Sequence, residues 1–206
     1  IPNASDEASL TQWTDKSAFA HNANASGGNE KPTYEDTDPL NTYGYIEFDG
    51  TQGLSINPIA WAQGLPGFTA FFVARPTSEV NGDTLMTTNT GDFKLAHNGT
   101  TWTVGMNTGT ATPTAPANSI NSWGIFTLVY DAANPMVFRL NRTNVPLGAY
   151  TPPAASSGSN TSLFIGHDET NTAFTGGIAE IIFFNKALNA TEYANVENYL
   201  STKWGV

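Results

Sequence analysis

The stretch "IEFDG" sets two carboxylates, Glu47 and Asp49, one residue apart, a spacing from which a sugar-cleaving pair can be built. Alternate residues of a β-strand share a face, so one group could give a proton while its neighbour attacks. Gly50 changes that reading. Asp-Gly is a turn signal, and Asp49 then serves to open the turn that ends the strand. Other hydrolytic arrangements are missing from the sequence. It contains neither G-x-S-x-G nor HExxH, it has no cysteine, and His21, His97 and His167 lie far apart along the chain.

Binding chemistry has more material. Sugars are held by aromatic faces beside amide, carboxylate and backbone groups. Trp61, Trp102, Trp123 and Tyr150 supply such faces. Trp123 opens the run "WGIFTLVY", and Trp102 alternates with Val104 and Met106, so both also fit core positions. His167 and Asp168 follow the apolar run "SLFIG", where they either meet a ligand or form a polar turn. Glu180 stands in the otherwise apolar "GIAEIIFF". A buried carboxylate must be paired, by a Trp N–H, a Lys, backbone amides or a metal ion.

These side chains have to be carried by strands. Apolar runs recur at short intervals: "YGYIEF", "FTAFFVAR", "DTLMTT", "DFKLAH", "TWTVGM", "WGIFTLVY", "MVFRLN", "SLFIG" and "GIAEIIFF". Gly, Pro, Asn or Asp bounds each, the punctuation of an all-β sandwich. "FTAFFVAR" and "IAEIIFF" are apolar at nearly every position, which predicts central strands covered on both faces. Residues 1–42 read as polar and loop-rich, and "TATPTAPANS" and "TPPAASSGSN" as long surface loops. The end of the chain differs. Asn189 and Glu192 form a capping box, with Leu188 and Tyr193 as a hydrophobic staple. Tyr193, Val196, Leu200 and Trp204 make one apolar stripe, and Gly205 is placed to stop the helix. The pattern predicts one helix over 188–203 that folds back on the sandwich.

Composition narrows the partners. Charged residues are 13% of the chain against 39% hydrophobic, so the surface is mainly Asn, Thr, Ser and Gly. Eighteen acidic and eight basic residues give a net charge of −10. No basic patch is available to displace counterions, which excludes nucleic acid and an anionic membrane surface as partners. No apolar run approaches the roughly 20 residues needed to span a bilayer. The chain begins at Ile1 without Met, as a processed or trimmed start would.

Taken in order, these segments resemble the laminin-G-like branch of the concanavalin A-like lectin/glucanase superfamily. The resemblance rests on "WTDKSAFAHNA", "IEFDGTQGLSI", "WGIFTLVYD", "SLFIGHD" and most of all "FTGGIAEIIFFNKALNATEYANVENYLSTKWGV". It implies one domain over residues 1–206, all-β, a two-sheet antiparallel β-sandwich (jelly roll) with one C-terminal helix. The chain departs from the pattern at Ala18-Phe19, where many relatives carry Gly, and at Asn141-Arg142, where relatives often carry Asn-Gly. It also has Ala179 where many relatives place an Asp that helps hold a structural calcium ion. Calcium needs several oxygen ligands, and Asp15, Asp49 and Glu180 are the candidates here. No other cofactor is implied. Polysaccharide-cleaving enzymes of this fold use a Glu-x-Asp-x-(x)-Glu strand, which is absent from this sequence.

The expected role is a non-catalytic recognition or structural module at an extracellular or virion surface. Its partner would be a surface glycan or another virion or surface-layer protein, with oligomer or particle association. The candidate ligand-binding residues are Trp61, Trp102, Tyr150, His167 and Asp168. Two alternatives stay open: a free soluble lectin, and a glycoside hydrolase or polysaccharide lyase.

Overall fold

Residue alternation in the longest strands explains the architecture. In Gly67–Pro76 the side chains of Phe68, Ala70, Phe72 and Ala74 enter one apolar cluster, while Phe71 and Val73 enter another. In Gly124–Asp131, Phe126, Leu128 and Tyr130 share the first cluster and Ile125 the second. The first cluster fills the space between two sheets, and the second lies between one sheet and the helix. A strand covered on both faces reads as continuously apolar, as both segments do.

The computed structural model describes residues 8–25, 31–36, 43–78, 81–89, 93–98, 101–106, 109–111, 120–147, 161–168 and 173–206. Among the described residues each sheet has eight antiparallel strands. The helix-covered sheet runs Ala8–Ser9, Thr33–Glu35, Tyr45–Asp49, Thr175–Phe184, Gly67–Pro76, Gly124–Asp131, Asn134–Leu140, Thr143–Val145. The facing sheet runs Gly109–Ala111, Thr101–Met106, Phe93–Asn98, Asn81–Thr88, Leu163–Ile165, Leu54–Ile56, Ala23–Ala25, Gln12–Trp13. This is the expected all-β jelly-roll sandwich. The loop-rich reading of residues 1–42 misses four strands of two or three residues each. Pieces that short display no period, and only their partners identify them.

The helix spans Ala190–Trp204. Asn189 accepts from the N–H groups of Thr191 and Glu192, and Glu192 returns to the Asn189 N–H at 2.9 Å, closing the capping box. Gly205, at φ 71°, ends the helix in the left-handed region that glycine tolerates. Leu188, Leu200 and Trp204 are buried against Phe71, Val73 and Ile125, with Tyr193 and Val196 packed alongside. A buried polar network lies under the same helix. Glu197, 1% exposed, accepts from the Thr127 hydroxyl at 2.8 Å and from Arg139 Nε and Nη2 at 2.8 and 3.1 Å.

A β-bulge decides where Glu180 goes. Ile178 opposes Ala74 while Glu180 opposes Val73, so one extra residue is inserted at Ala179. Strict alternation would aim Glu180 between the sheets with Ile178; the inserted residue turns it to the helix side. There its carboxylate accepts from the Trp204 indole at 2.6 Å and from Lys203 Nζ at 3.0 Å. This contact accounts for the Lys203-Trp204-Gly205 ending. Beyond Ile178, Thr175–Phe184 stays paired to Gly67–Pro76, but its register with Tyr45–Asp49 stops at Ile178. The sandwich therefore gapes beside Glu180–Phe184.

Candidate functional site

Three rings stand in a row at that gap. Phe19 is 77% exposed and stacks on His21, with centroids 5.9 Å apart and planes 7° from parallel. His21 stacks on Trp61 at 4.5 Å and 17°. Trp61, on the short 3-10 turn Ala60–Ala62, meets Phe183 edge-on at 5.3 Å, and this ties the row to the core.

Asp15 builds the loop that presents Phe19. Its carboxylate accepts from the Ser17 N–H at 2.8 Å, the Ser17 hydroxyl at 2.6 Å and the His21 N–H at 2.8 Å. The Asp15 N–H donates to Asn22 Oδ1 at 2.9 Å, and Ala20 takes a positive φ of 55° to close the turn. Burial pushes the Asp15 carboxyl upward, but the Ser17 and His21 donors together hold it below its usual value.

The His21–Trp61 pair walls two hollows. One is a cleft of about 990 Å³ that enters the gap between the sheets. Its walls include half-buried Ile181 and Phe183 from one sheet and buried Met86, Leu163 and Ile165 from the other. Asp15, Lys16, Tyr43, Glu180 and Lys203 stand around it. The other hollow, about 480 Å³, is a depression lined by Gln12, Asn22, Asn24 and Asn57 beside the two rings. Gln12 Nε2 donates to Asn24 Oδ1 at 2.7 Å, and Asn24 Nδ2 to the Asn22 carbonyl at 3.3 Å, so the Gln12 and Asn24 amides are held in fixed orientations. None of its lining residues is Lys or Arg.

Of the binding residues expected from sequence that lie among the described residues, Trp61 alone lines these hollows. Trp102 is corrected to a core residue: it is 2% exposed, edge-on to His97 at 5.2 Å and against Phe126 at 4.5 Å. The inward face of Thr101–Met106 is the sandwich interior, so this ring has no surface to offer. His167 is corrected likewise. It packs so closely on Gly53 that a Cβ there would fall 1.9 Å from the imidazole, and its Nδ1–H donates to the Asp168 carbonyl at 3.0 Å. Asp168 is half-buried, 3.8 Å from Lys94 Nζ. Tyr150 lies outside the described residues.

Asp15, Asp49 and Glu180 each have their own donors. Asp49 accepts from the Thr51 N–H at 2.9 Å and hydroxyl at 2.7 Å, as the Asp-Gly turn requires. Among the described residues no group of three or more His, Asp or Glu could hold a metal ion. Phe48 is interior, which turns Glu47 and Asp49 outward, and Arg75 Nη2 lies 3.2 Å from Glu47 Oε2. Sequence reasoning passed over Phe19, His21 and the amides of Gln12, Asn22, Asn24 and Asn57. The one available signal was two rings at i and i+2 in the polar stretch "SAFAHNA".

Comparison with curated protein sequences finds no match. Solved structures are similar in fold. The binding domain of botulinum neurotoxin serotype G superposes with a TM-score of 0.64 at 16% identity, covering 92% of this chain and 49% of that one. A Trypanosoma rangeli sialidase in complex with sialic acid gives 0.68 at 12% identity, covering 97% of this chain and 32% of that one. Domain 4 of a GH43 extracellular arabinanase from Geobacillus stearothermophilus, in complex with arabinotriose, gives 0.61 at 14%, covering 84% and 82%. This chain thus spans about half of the neurotoxin domain and about a third of the sialidase. Residues 48–194 match the laminin G family model described as concanavalin A-like lectin/glucanases superfamily. With well over half of its length matched, from the Phe48 turn into the C-terminal helix, the chain belongs to the concanavalin A-like lectin/glucanases superfamily.

Proposed function

We propose that the protein is a non-catalytic recognition module, displayed outside the cell or on a virion, that binds a neutral glycan at the depression beside His21 and Trp61. The observation that carries this reading is the pairing of fixed side-chain amides with an aromatic wall in one hollow. Amides match the donor and acceptor pattern of sugar hydroxyls, and a ring face accepts the apolar C–H face of a sugar. Without Lys or Arg in the lining, a carboxylated sugar would lose its hydration and gain no counter-charge. The arabinotriose-bound domain of similar fold supports a sugar ligand by analogy.

Absence of catalysis is proposed on the carboxylates. Glu47 faces Arg75, and Glu180 and Asp15 are each held by several donors, so none is arranged as a general acid. Among the described residues no helix is long and apolar enough to cross a membrane.

A glycan array and a sizing measurement on one preparation test the proposal. The expected result is retention of a defined set of neutral glycans, without release of reducing ends. Preference for sialylated glycans, or reducing-end release abolished by Glu47→Gln, would overturn it. Recovery only inside a large particle, with no sugar bound, favours the assembly role.

A further inference from the structure

We propose that the outer face of Phe19 is a second sugar subsite, so that the ligand is an oligosaccharide crossing the rim of the depression and not a single sugar. The inference rests on the glycan reading above and names the size class of that ligand. Phe19 is the most exposed large apolar side chain among the described residues, at 77%. A lone exposed ring would need no explanation. Phe19 differs because its face is held open. The other two exposed rings, Tyr43 and Tyr199, each face the Lys203 ammonium, at 5.6 and 5.5 Å. Among the described residues the one ring that meets Phe19 is His21, which is stacked within 7° of parallel. Phe19 therefore ends the row, with one face on His21 and the other in solvent.

The loop fixes that face. The Phe19 N–H donates to Ser17 Oγ at 3.2 Å, and Ser17 is itself bound to the Asp15 carboxylate. The Asn22 N–H donates to the Ala20 carbonyl at 2.9 Å, and Ala20 sits at φ 55°, where an alanine is strained. A ring already held in place gives up little freedom when a ligand stacks on it. Ala20 and His21, the next two residues, line the depression, so Phe19 stands at its rim. One sugar unit at the Gln12 and Asn24 amides and another on Phe19 then belong to one chain. The π face takes the polarised C–H groups of a sugar ring while the hydroxyls stay in water. The contact needs neither charge of the loop. Asp15 is occupied by its Ser17 and His21 donors, and Lys16 is an exposed side chain.

The test is an array of linear neutral glycans graded by length, followed by calorimetric titration of the retained series. It is run on the native chain, Phe19→Ala, Phe19→Tyr, Phe19→Leu, Lys16→Gln and Asn24→Ala. In the native chain, affinity should rise from the shortest retained glycan to the longer ones. Phe19→Ala should weaken the longer glycans about tenfold, the size of one ring contact, and leave the shortest unchanged. Its melting curve should not move, because the side chain is exposed. Phe19→Tyr should bind as the native chain does, whereas Phe19→Leu, apolar but without a π face, should behave as Phe19→Ala. Lys16→Gln should leave the length dependence intact. Asn24→Ala should abolish binding at every length. Long glycans bound equally by the native chain and Phe19→Ala overturn the proposal and leave the depression standing. So does Phe19→Leu binding as the native chain does. If the native chain retains no neutral glycan, the glycan reading fails and this subsite fails with it.

Discussion

Single residues carry charge that the fold has to accommodate, and Asp83 shows how. It is 2% exposed, on the interior face opposite His97, and its Oδ2 has no hydrogen-bond partner. Burial raises its carboxyl above the usual range, against a Ser78 hydroxyl bond and the nearby His97 that act to lower it. A raised folded-state value means that Asp83 supports folding when protonated and that this support is lost as pH rises. Asp83→Asn should therefore raise the melting temperature at neutral pH, and the gain should vanish below about pH 4, where the unfolded carboxyl is protonated as well. A gain that grows toward acid would show the sign to be wrong. Arg142 illustrates a different cost. At φ 66° it occupies a left-handed position that glycine takes without strain. Its side chain reaches Asn198 on the helix at 3.1 Å, and its carbonyl accepts from Arg139. The departure at Asn141-Arg142 was visible in the sequence, but its compensation lies 56 residues away and was not.

At the scale of elements the helix acts as a clamp on the outer face of one sheet. Trp204→Ala should cost about 3–5 kcal/mol, since the ring is buried and its indole holds Glu180. An unchanged thermal or denaturant midpoint would mean that the helix does not secure the sheet. Glu197→Ala should cost a similar 3–5 kcal/mol, because it strands Arg139 and the Thr127 hydroxyl under the helix. Rescue of stability by the further change Arg139→Met would identify the stranded charge as the cause. The cap, staple, stripe and terminal glycine were legible because each is a local pattern within one helix. Glu197 was not, because its partners come from strands 58 and 70 residues away. The bulge at Ala179 was equally hidden: alternation is the only periodic signal a strand gives, and a bulge is a break in it.

For the whole molecule, strand spacing and breakers were enough for the sandwich, since every long strand buries a face that the sequence displays. The site was legible only at Trp61. Its depression assembles Gln12, Asn22 and Asn24 with Asn57 and Trp61, segments brought together by tertiary folding alone. Exposure, which separates Trp61 from Trp102, is likewise a property of the packed whole. Calcium belongs at this scale too. Because Asp15, Asp49 and Glu180 accept from separate protein donors, a chelator should move the melting temperature little. A drop of many degrees would reveal a structural ion. The most direct test of the central claim is titration of a neutral oligosaccharide selected on the array, followed by quenching of tryptophan fluorescence, in the native chain and in Asn24→Ala. Saturable quenching that Asn24→Ala abolishes, with an unaltered melting curve, is the predicted result. Binding that Asn24→Ala leaves intact would place the sugar elsewhere and contradict the account.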